Sequence, residues 1–220
     1  MTTAKITRRR ATMLMLGGAL VAYGTLAGFP LDAFAQKAVN PEELAQAGPL
    51  GDVALGSPDA KVTIIEYASL GCTHCADFHK TVYPTLKSKY IDTGKVRFIL
   101  REFPLEDLST AAFMLARCAG DDKYYAIVDL LFEKQAQWAF VKKPLDALFQ
   151  IVKQAGFTQE SAETCLKNQQ IYAGVQAVLK RANEKFDVNS TPTFFINGKM
   201  QRGVPKVDEL DKILEPLLGG

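Results

Sequence analysis

Two cysteines separated by two residues, Cys72 and Cys75, are the side chains whose types and spacing point most directly to chemistry. They follow an apolar, β-branched run at residues 62–65 that predicts a buried strand, and they open a segment with helical spacing of apolar residues. A cysteine at the start of a helix meets unsatisfied backbone N–H groups and the positive end of the helix dipole, and both stabilise a thiolate. Because a thiolate with a lowered pKa is both nucleophile and leaving group in disulfide exchange, the pattern predicts redox chemistry.

His74 lies between the two cysteines and can add positive charge beside the Cys72 sulfur. A structural zinc site also uses this cysteine spacing, but usually together with a second close Cys or His pair. The other cysteines, Cys118 and Cys165, lie far apart in the sequence, and His79 is the only other histidine. The strand-then-helix context therefore favours a redox pair over a zinc site or a chance pairing, and we predict no metal site.

The N-terminal residues 1–35 have the pattern of a secretory signal peptide. Basic residues, including three arginines at 8–10, precede an apolar run at residues 11–29. A small-x-small cleavage pattern at residues 33–35 follows. A permanent membrane anchor is the alternative, and the neighbouring arginines leave both the Sec and the twin-arginine export routes open.

Removal of this segment would take four of the 26 basic and one of the 24 acidic residues, leaving a net charge of −1. That balance does not suggest nucleic acid or an anionic membrane surface as a partner. The length that remains suits one domain with an insertion. In an oxidising compartment the even cysteine count indicates two disulfide pairs, although two buried free thiols at Cys118 and Cys165 stay an alternative.

The order of predicted elements is βαβ, a helical insertion, and then ββα. Residues 36–51 are predicted as an arm or short helix capped by Asn40, and residues 52–220 as the main domain. The elements predicted around the insertion are an edge strand at 52–55, a strand at 61–67, a helix from the cysteine pair to about 92–94, strands at 95–101, 193–196 and 199–202, an Asn197-Gly198 type I′ turn, and a helix at 207–214. This is an α/β, thioredoxin-like arrangement with parallel strands in its first unit.

Between about residues 105 and 188 the sequence shows only helical periodicity, which predicts an inserted all-helical subdomain. One helix is predicted to open at Pro144 and to end near Gly156, and another is predicted to be capped by Thr158. The last helix of the insertion is predicted at residues 171–186.

From about residue 52 to residue 218 the chain resembles exported thiol–disulfide oxidoreductases of the DsbA type. The resemblance is carried by Glu66, by Cys72-Thr73-His74-Cys75, and by the segment Ser190-Thr191-Pro192-Thr193-Phe194-Phe195-Ile196-Asn197-Gly198. A histidine before the second cysteine is the choice of the oxidising branch, but Thr73 stands where that branch has proline. An isomerase or reductase function therefore stays open beside an oxidase function.

The resemblance implies roles for individual residues. It implies that Pro192 is a cis proline facing the cysteine pair, and that Thr191 and Thr73 contact the substrate strand. It implies that Glu66 is a partly buried acid that assists proton transfer to and from Cys75. His79 follows Cys75 by four residues on the same helix, where a position near the site is open, but it is expected to be an ordinary surface histidine.

The family also implies an activity, namely the introduction of disulfide bonds into exported proteins in the periplasm, with no cofactor. The implied partners are reduced exported polypeptides and a quinone-linked membrane protein that reoxidises the chain, which is expected to be a monomer. The resemblance further implies a second disulfide between Cys118 and Cys165. A periplasmic metal-binding thiol protein, with zinc or copper(I) on the cysteine pair, is the alternative from another class.

Overall fold

A computed structural model describes residues 39–219, so the predicted signal peptide and the first residues of the predicted arm lie outside the described part. The helices and strands in chain order are α1 (Pro41–Ala45), β1 (Ala54–Leu55), β2 (Val62–Ala68), α2 (Thr73–Thr81), α3 (Tyr83–Leu86), a π-helical turn (Lys87–Ile91), β3 (Val96–Glu102), α4 (Asp107–Cys118), α5 (Asp121–Glu133), α6 (Gln135–Trp138), α7 (Pro144–Lys153), α8 (Gln159–Leu166), α9 (Gln169–Phe186), β4 (Thr193–Ile196), β5 (Lys199–Arg202) and α10 (Val207–Leu218).

The five strands form one sheet in the order β1-β3-β2-β4-β5. Strands β2 and β3 run parallel, as a βαβ unit requires, and the other pairs are antiparallel. Strand β2 lies in the centre, with Glu66 opposite Leu100 on one side and opposite Phe194 on the other. The thioredoxin-like fold with a helical insertion, predicted from the sequence, is therefore confirmed, and β2 delivers the residues that follow it to the middle of the sheet.

Helices cover both faces of the sheet because β2 and β3 are apolar on both sides. One face packs against α2 and helices α4 to α8 around buried Phe78, Phe113 and Trp138. The other face packs against α1 and α9, where Tyr67 and Phe186 belong to a second apolar cluster. The cysteine pair at the start of α2 is thus held by a helix whose buried side is part of the main core.

The helix after the cysteine pair ends at Ile91, close to the predicted end, but it is not continuous. It breaks at Val82, and α3 and the π-helical turn complete the segment. Pro84 lacks the backbone N–H that would extend the hydrogen-bond ladder of α2, which accounts for the break.

The insertion consists of helices α4 to α9, and no strand occurs within residues 105–188. Thr158 caps α8 through a reciprocal capping box with Ser161, as the sequence predicted. Helix α9 begins two residues earlier than predicted because Asn168 caps it, and the short α6 was not predicted. A disulfide with an S–S distance of 2.05 Å joins Cys118 at the end of α4 to Cys165 in α8. Within residues 39–219 no helix has the length and apolar content needed to cross a bilayer.

The buried Arg101 ties the segment around α1 to the sheet. Its guanidinium donates to both carboxylate oxygens of Asp52, at 3.0 and 2.8 Å, and to the hydroxyl of Tyr67 at 3.0 Å. It also donates to the carbonyl oxygens of Leu44 and Gln46, at 2.8 and 3.0 Å. The side chains of Arg101 and Asp52 are 3% and 10% exposed, so loss of the guanidinium leaves Asp52 as an uncompensated, largely buried carboxylate.

We therefore expect Arg101→Leu to lower the free energy of unfolding by about 3 kcal/mol, the cost of breaking a buried ion pair by removing one partner. Urea denaturation of the variant and the parent protein measures the difference. Arg97→Leu, on the same strand but half-buried, is the matched control and should change the value by less than about 1 kcal/mol. Equal losses in the two variants would contradict the assigned role of Arg101.

Candidate active site

Cys72 and Cys75 occupy different environments although only two residues separate them. Cys72 is the N-cap residue of α2 in an extended conformation, and it is half-buried. Cys75 lies in the first turn of the helix and is 0% exposed. Both are free thiols in this structure. Cys72 is therefore the sulfur that another molecule can reach.

The environment also separates the pKa values of the two thiols. Hydrogen bonding from the Cys75 thiol, the Thr191 side chain and the backbone N–H groups of Cys75 and His74 outweighs the opposing effect of burial and lowers the pKa of Cys72 to about 5. Burial, the hydrogen bond with Cys72 and the negative charge of Glu66 raise the pKa of Cys75. At neutral pH the reduced pair consequently consists of a thiolate at Cys72 and a thiol at Cys75.

The Thr191-Pro192 peptide bond is cis and lies beside the pair. In the thiol form, Cys72 Sγ donates to the carbonyl oxygen of Thr191 at 3.4 Å. The hydroxyl oxygen of Thr191 is buried and has no hydrogen-bond partner among the described residues. It is thus free to donate to the Cys72 thiolate, while Thr73 and His74 remain exposed next to the same sulfur.

Gln135, a residue that the sequence analysis did not identify, holds the segment before α2 from the helical insertion. Its buried side-chain amide donates to the carbonyl oxygens of Leu70 at 2.8 Å and Cys72 at 2.9 Å. Ser109, in α4, accepts from the backbone N–H of Leu70 at 2.9 Å. No motif marks Gln135 because it lies in α6, which the periodicity did not predict, and because its role depends on a tertiary contact.

Glu106 is a second residue that the sequence did not indicate. A Cβ atom added to Gly71 would overlap Glu106 Oε1, so the carboxyl group packs directly against the backbone that precedes Cys72. Burial, and then the charge of Cys72, raise the pKa of Glu106. A side chain at position 71 would therefore displace the Glu106 carboxyl group from this contact.

Glu66 lies beneath the pair in β2 and is 0% exposed, and its partner is His79. Glu66 Oε2 and His79 Nε2 are 3.0 Å apart, whereas Glu66 Oε1 has no hydrogen-bond partner among the described residues. The expectation of a surface histidine is wrong, because His79 stacks on Phe132 with ring centroids 4.2 Å apart and is buried. The four-residue spacing from Cys75 placed it on the correct helix, but the partner ring comes from α5. Within residues 39–219 no group of three or more His, Cys, Asp or Glu side chains is arranged to hold a metal ion.

The family described as thioredoxin matches residues 50–216, so the chain belongs to this family. Among solved structures, alpha-DsbA1 from Wolbachia pipientis is similar over 82% of this chain and 96% of its own, with 30% sequence identity and a TM-score of 0.76. BdbD from Bacillus subtilis, in its oxidised form, has a TM-score of 0.68 at 24% identity, covers 77% of this chain and 94% of its own, and supports the fold alone. The chain is therefore a member of the thioredoxin family with the architecture of the DsbA type.

Curated relatives carry names from the same chemistry. A Rickettsia conorii protein named as a protein-disulfide oxidoreductase is 35% identical over 169 residues, which are 74% of this chain and 61% of that protein. Disulfide bond formation protein D of Bacillus subtilis is 25% identical over 77% of this chain and 78% of its own length. The chain thus spans about three fifths of the length of the Rickettsia relative.

The contact between Thr191 and Cys72 leads to a measurable expectation. Thr191→Val keeps the shape of the side chain but removes the hydroxyl donor, so it should raise the pKa of Cys72 above its value of about 5. The pH dependence of iodoacetamide alkylation of Cys72 measures the change. Thr193→Val, which removes a buried hydroxyl that donates to Ser190 instead, is the matched control. An unchanged alkylation profile in Thr191→Val would show that the hydroxyl does not stabilise the thiolate.

Proposed function

We propose that this protein is a thiol–disulfide oxidoreductase that introduces disulfide bonds into exported proteins through Cys72 and Cys75. The observation that carries the proposal is the division of properties within the pair, a reachable low-pKa Cys72 and a shielded high-pKa Cys75. Relatives named for disulfide bond formation support the same chemistry. A periplasmic location follows from the predicted signal peptide together with this chemistry.

In the proposed reaction, a substrate thiolate attacks Cys72 of the oxidised pair. A bond forms between the substrate sulfur and Cys72 Sγ, the Cys72–Cys75 bond breaks, and the electron pair passes to Cys75, which takes up a proton. A second substrate thiolate then attacks the substrate sulfur of this mixed disulfide, and Cys72 leaves as a thiolate. The substrate is oxidised by two electrons and the enzyme pair is reduced. The low pKa of Cys72 makes it a good leaving group in the second step.

The surrounding residues have separate proposed roles. Glu66 exchanges the proton of Cys75, because its carboxylate is buried beneath the pair. The cis peptide presents backbone groups of Thr191 beside Cys72, where they can pair with a substrate strand, and Pro192 maintains that turn. Thr73 and His74 form the exposed side of the same site, where His74 can add positive charge near the thiolate.

The direction of electron flow distinguishes an oxidase from an isomerase or reductase. Stabilisation of the Cys72 thiolate favours the reduced enzyme, which makes the oxidised enzyme a stronger oxidant. We therefore propose oxidation of substrates as the physiological direction, with reduced exported polypeptides as substrates and a quinone-linked membrane protein as the reoxidising partner.

The first test is the reduction potential of the pair, measured by equilibration with glutathione buffers in a variant that lacks Cys118 and Cys165. We expect a value near roughly −120 mV, typical of a dedicated oxidant. A value of about −200 mV or below would assign isomerase or reductase work instead. Cys72→Ser should abolish oxidation of a dithiol peptide, and retained turnover in that variant would rule out the proposed reaction.

The low pKa of Cys72 also predicts how pH affects stability of the reduced form. Because the folded-state pKa, about 5, lies below the value of roughly 8.5 for an unfolded cysteine, the thiolate contribution declines as pH falls between these values and is lost below about 5. Denaturation of both redox forms between pH 4 and 8 should therefore show the reduced form losing stability relative to the oxidised form as the solution becomes more acidic. A constant difference between the two forms would contradict the assigned pKa.

A further inference from the structure

The proposed reaction delivers a proton to Cys75 and later removes it, although Cys75 and Glu66 are each 0% exposed. A proton from bulk water must therefore cross the protein interior to reach the site. We propose that His79 and Asp129 continue the path from Glu66 to solvent, so that these residues relay the proton of Cys75. The inference rests on the proposed function and adds two residues that act on Cys75 through Glu66.

The inner link joins Cys75 to Glu66. Burial, the hydrogen bond with Cys72 and the charge of Glu66 raise the pKa of Cys75, which places the carboxylate within electrostatic reach of that thiol. Glu66 Oε1 is buried without a hydrogen-bond partner among the described residues, while Oε2 faces His79. One carboxyl group can therefore take a proton from the histidine and pass it to the sulfur.

The middle link is the imidazole of His79, which has its two nitrogens directed at different carboxylates. Nε2 lies 3.0 Å from Glu66 Oε2, and Nδ1 lies 3.7 Å from Asp129 Oδ1. Stacking on Phe132 at 4.2 Å and an edge contact with Phe78 at 5.3 Å fix the plane of the ring. An imidazole that accepts a proton on one nitrogen and releases one from the other is suited to transfer between two such groups.

The outer link reaches the surface. The side chain of Asp129 is 46% exposed, whereas that of His79 is 2% exposed. Asp129 borders a surface cavity of about 420 Å³, which is lined by His79, Lys80, Tyr83, Lys87, Asp129 and Glu133. Because 3.7 Å is too long for a direct hydrogen bond, transfer between Asp129 and His79 requires a bridging water or a small rotation of the exposed carboxylate.

The charges around His79 keep its imidazole protonated at neutral pH. Burial alone lowers the pKa of the imidazole, but the charge of Glu66 and the interactions with Asp129 outweigh it and raise the pKa to about 9. The other charged or titratable groups around the cavity are Lys80 of α2, Tyr83 of α3, Lys87 of the π-helical turn and Glu133 of α5. The protonated imidazole is thus a proton donor at the pH at which disulfide exchange occurs.

The relay carries one proton inward when the Cys72–Cys75 disulfide is reduced and one outward when it re-forms. When Cys75 leaves, His79 Nε2 gives a proton to the Glu66 carboxylate, which passes it to Cys75. The neutral ring keeps its Nδ1 proton, so a half-turn about the Cβ–Cγ bond, which leaves the ring plane against Phe132 unchanged, brings Nε2 toward Asp129, where it takes up a proton from water. When Cys75 attacks Cys72 to re-form the disulfide, the proton travels outward by the same route. No electron passes through the relay, because the electrons remain with the sulfur atoms.

The test compares the full-length proteins carrying His79→Gln, Asp129→Asn and Glu133→Gln with the parent. Glutamine retains a hydrogen-bond donor for Glu66 but does not titrate, and Glu133→Gln removes the same charge from the same cavity outside the path. Single-turnover reduction of the oxidised enzyme by a dithiol peptide, quenched with acid and resolved by mass spectrometry, gives the rate of Cys75 release across pH 6 to 10. Substrate titration is identical for all variants, so ratios to Glu133→Gln isolate the relay.

In the parent protein the rate of Cys75 release should decline around pH 9, where His79 loses its proton. We expect His79→Gln to slow the release roughly tenfold at neutral pH and to abolish this decline. Asp129→Asn should slow release less and move that decline to lower pH, because removal of its negative charge lowers the pKa of His79. Glu133→Gln should leave both rate and profile unchanged. The alkylation profile of Cys72 should stay centred near pH 5 in all variants, as a purely structural loss would not spare it.

Unchanged rates and pH profiles in both His79→Gln and Asp129→Asn would overturn the relay, as would equal effects of Asp129→Asn and Glu133→Gln. Asp129 is partly exposed, so its variant remains informative even if His79→Gln unfolds. Failure of the proposed function has a different signature, since the parent protein would then not oxidise the dithiol peptide at all.

Discussion

The site depends on the difference in pKa between two cysteine thiols at the start of one helix. Cys72, at the N-cap of α2, receives hydrogen bonds that favour its thiolate, whereas Cys75, three residues on, is buried and faces a carboxylate. A disulfide between two such sulfurs is attacked at a defined atom, because only Cys72 is accessible, and the same low-pKa sulfur is then a good leaving group from a mixed disulfide. The central position of β2 in the sheet makes this possible, since the strand ends where α2 begins.

The helical insertion is part of the site as well as part of the core. Gln135 of α6 donates hydrogen bonds to the carbonyl oxygens of Leu70 and Cys72, and Ser109 of α4 accepts one from the backbone N–H of Leu70. Phe132 of α5 forms the stacking surface for His79, and Asp129 lies one turn before it. The insertion therefore fixes the backbone beside Cys72 and closes the space around Glu66. A change in its packing would alter the surroundings of both sulfur atoms.

Much of the fold was predictable because it depends on local patterns. The β-branched run of β2, the capping residues Asn40 and Thr158, and the Asn197-Gly198 turn each specify their own conformation through nearby backbone groups. The break in the helix after the cysteine pair was missed although Pro84 signals it, because the apolar spacing continues across that residue. The short α6 offered too few residues for a periodic pattern.

The sequence by itself determined the chemistry proposed for this protein, because a cysteine pair between a strand and a helix is placed where the backbone N–H groups of the helix start stabilise a thiolate. The resemblance to the DsbA type added Glu66, Thr191 and Pro192, which lie far apart in the chain. Only the tertiary structure decided the surroundings of His79. Its ring is buried against Phe132 of α5, and its polar partners Glu66 and Asp129 come from two other elements, β2 and α5. The same holds for Gln135 and Glu106, whose distances to the Cys72 segment are set by the packing of the insertion and have no signal in local sequence.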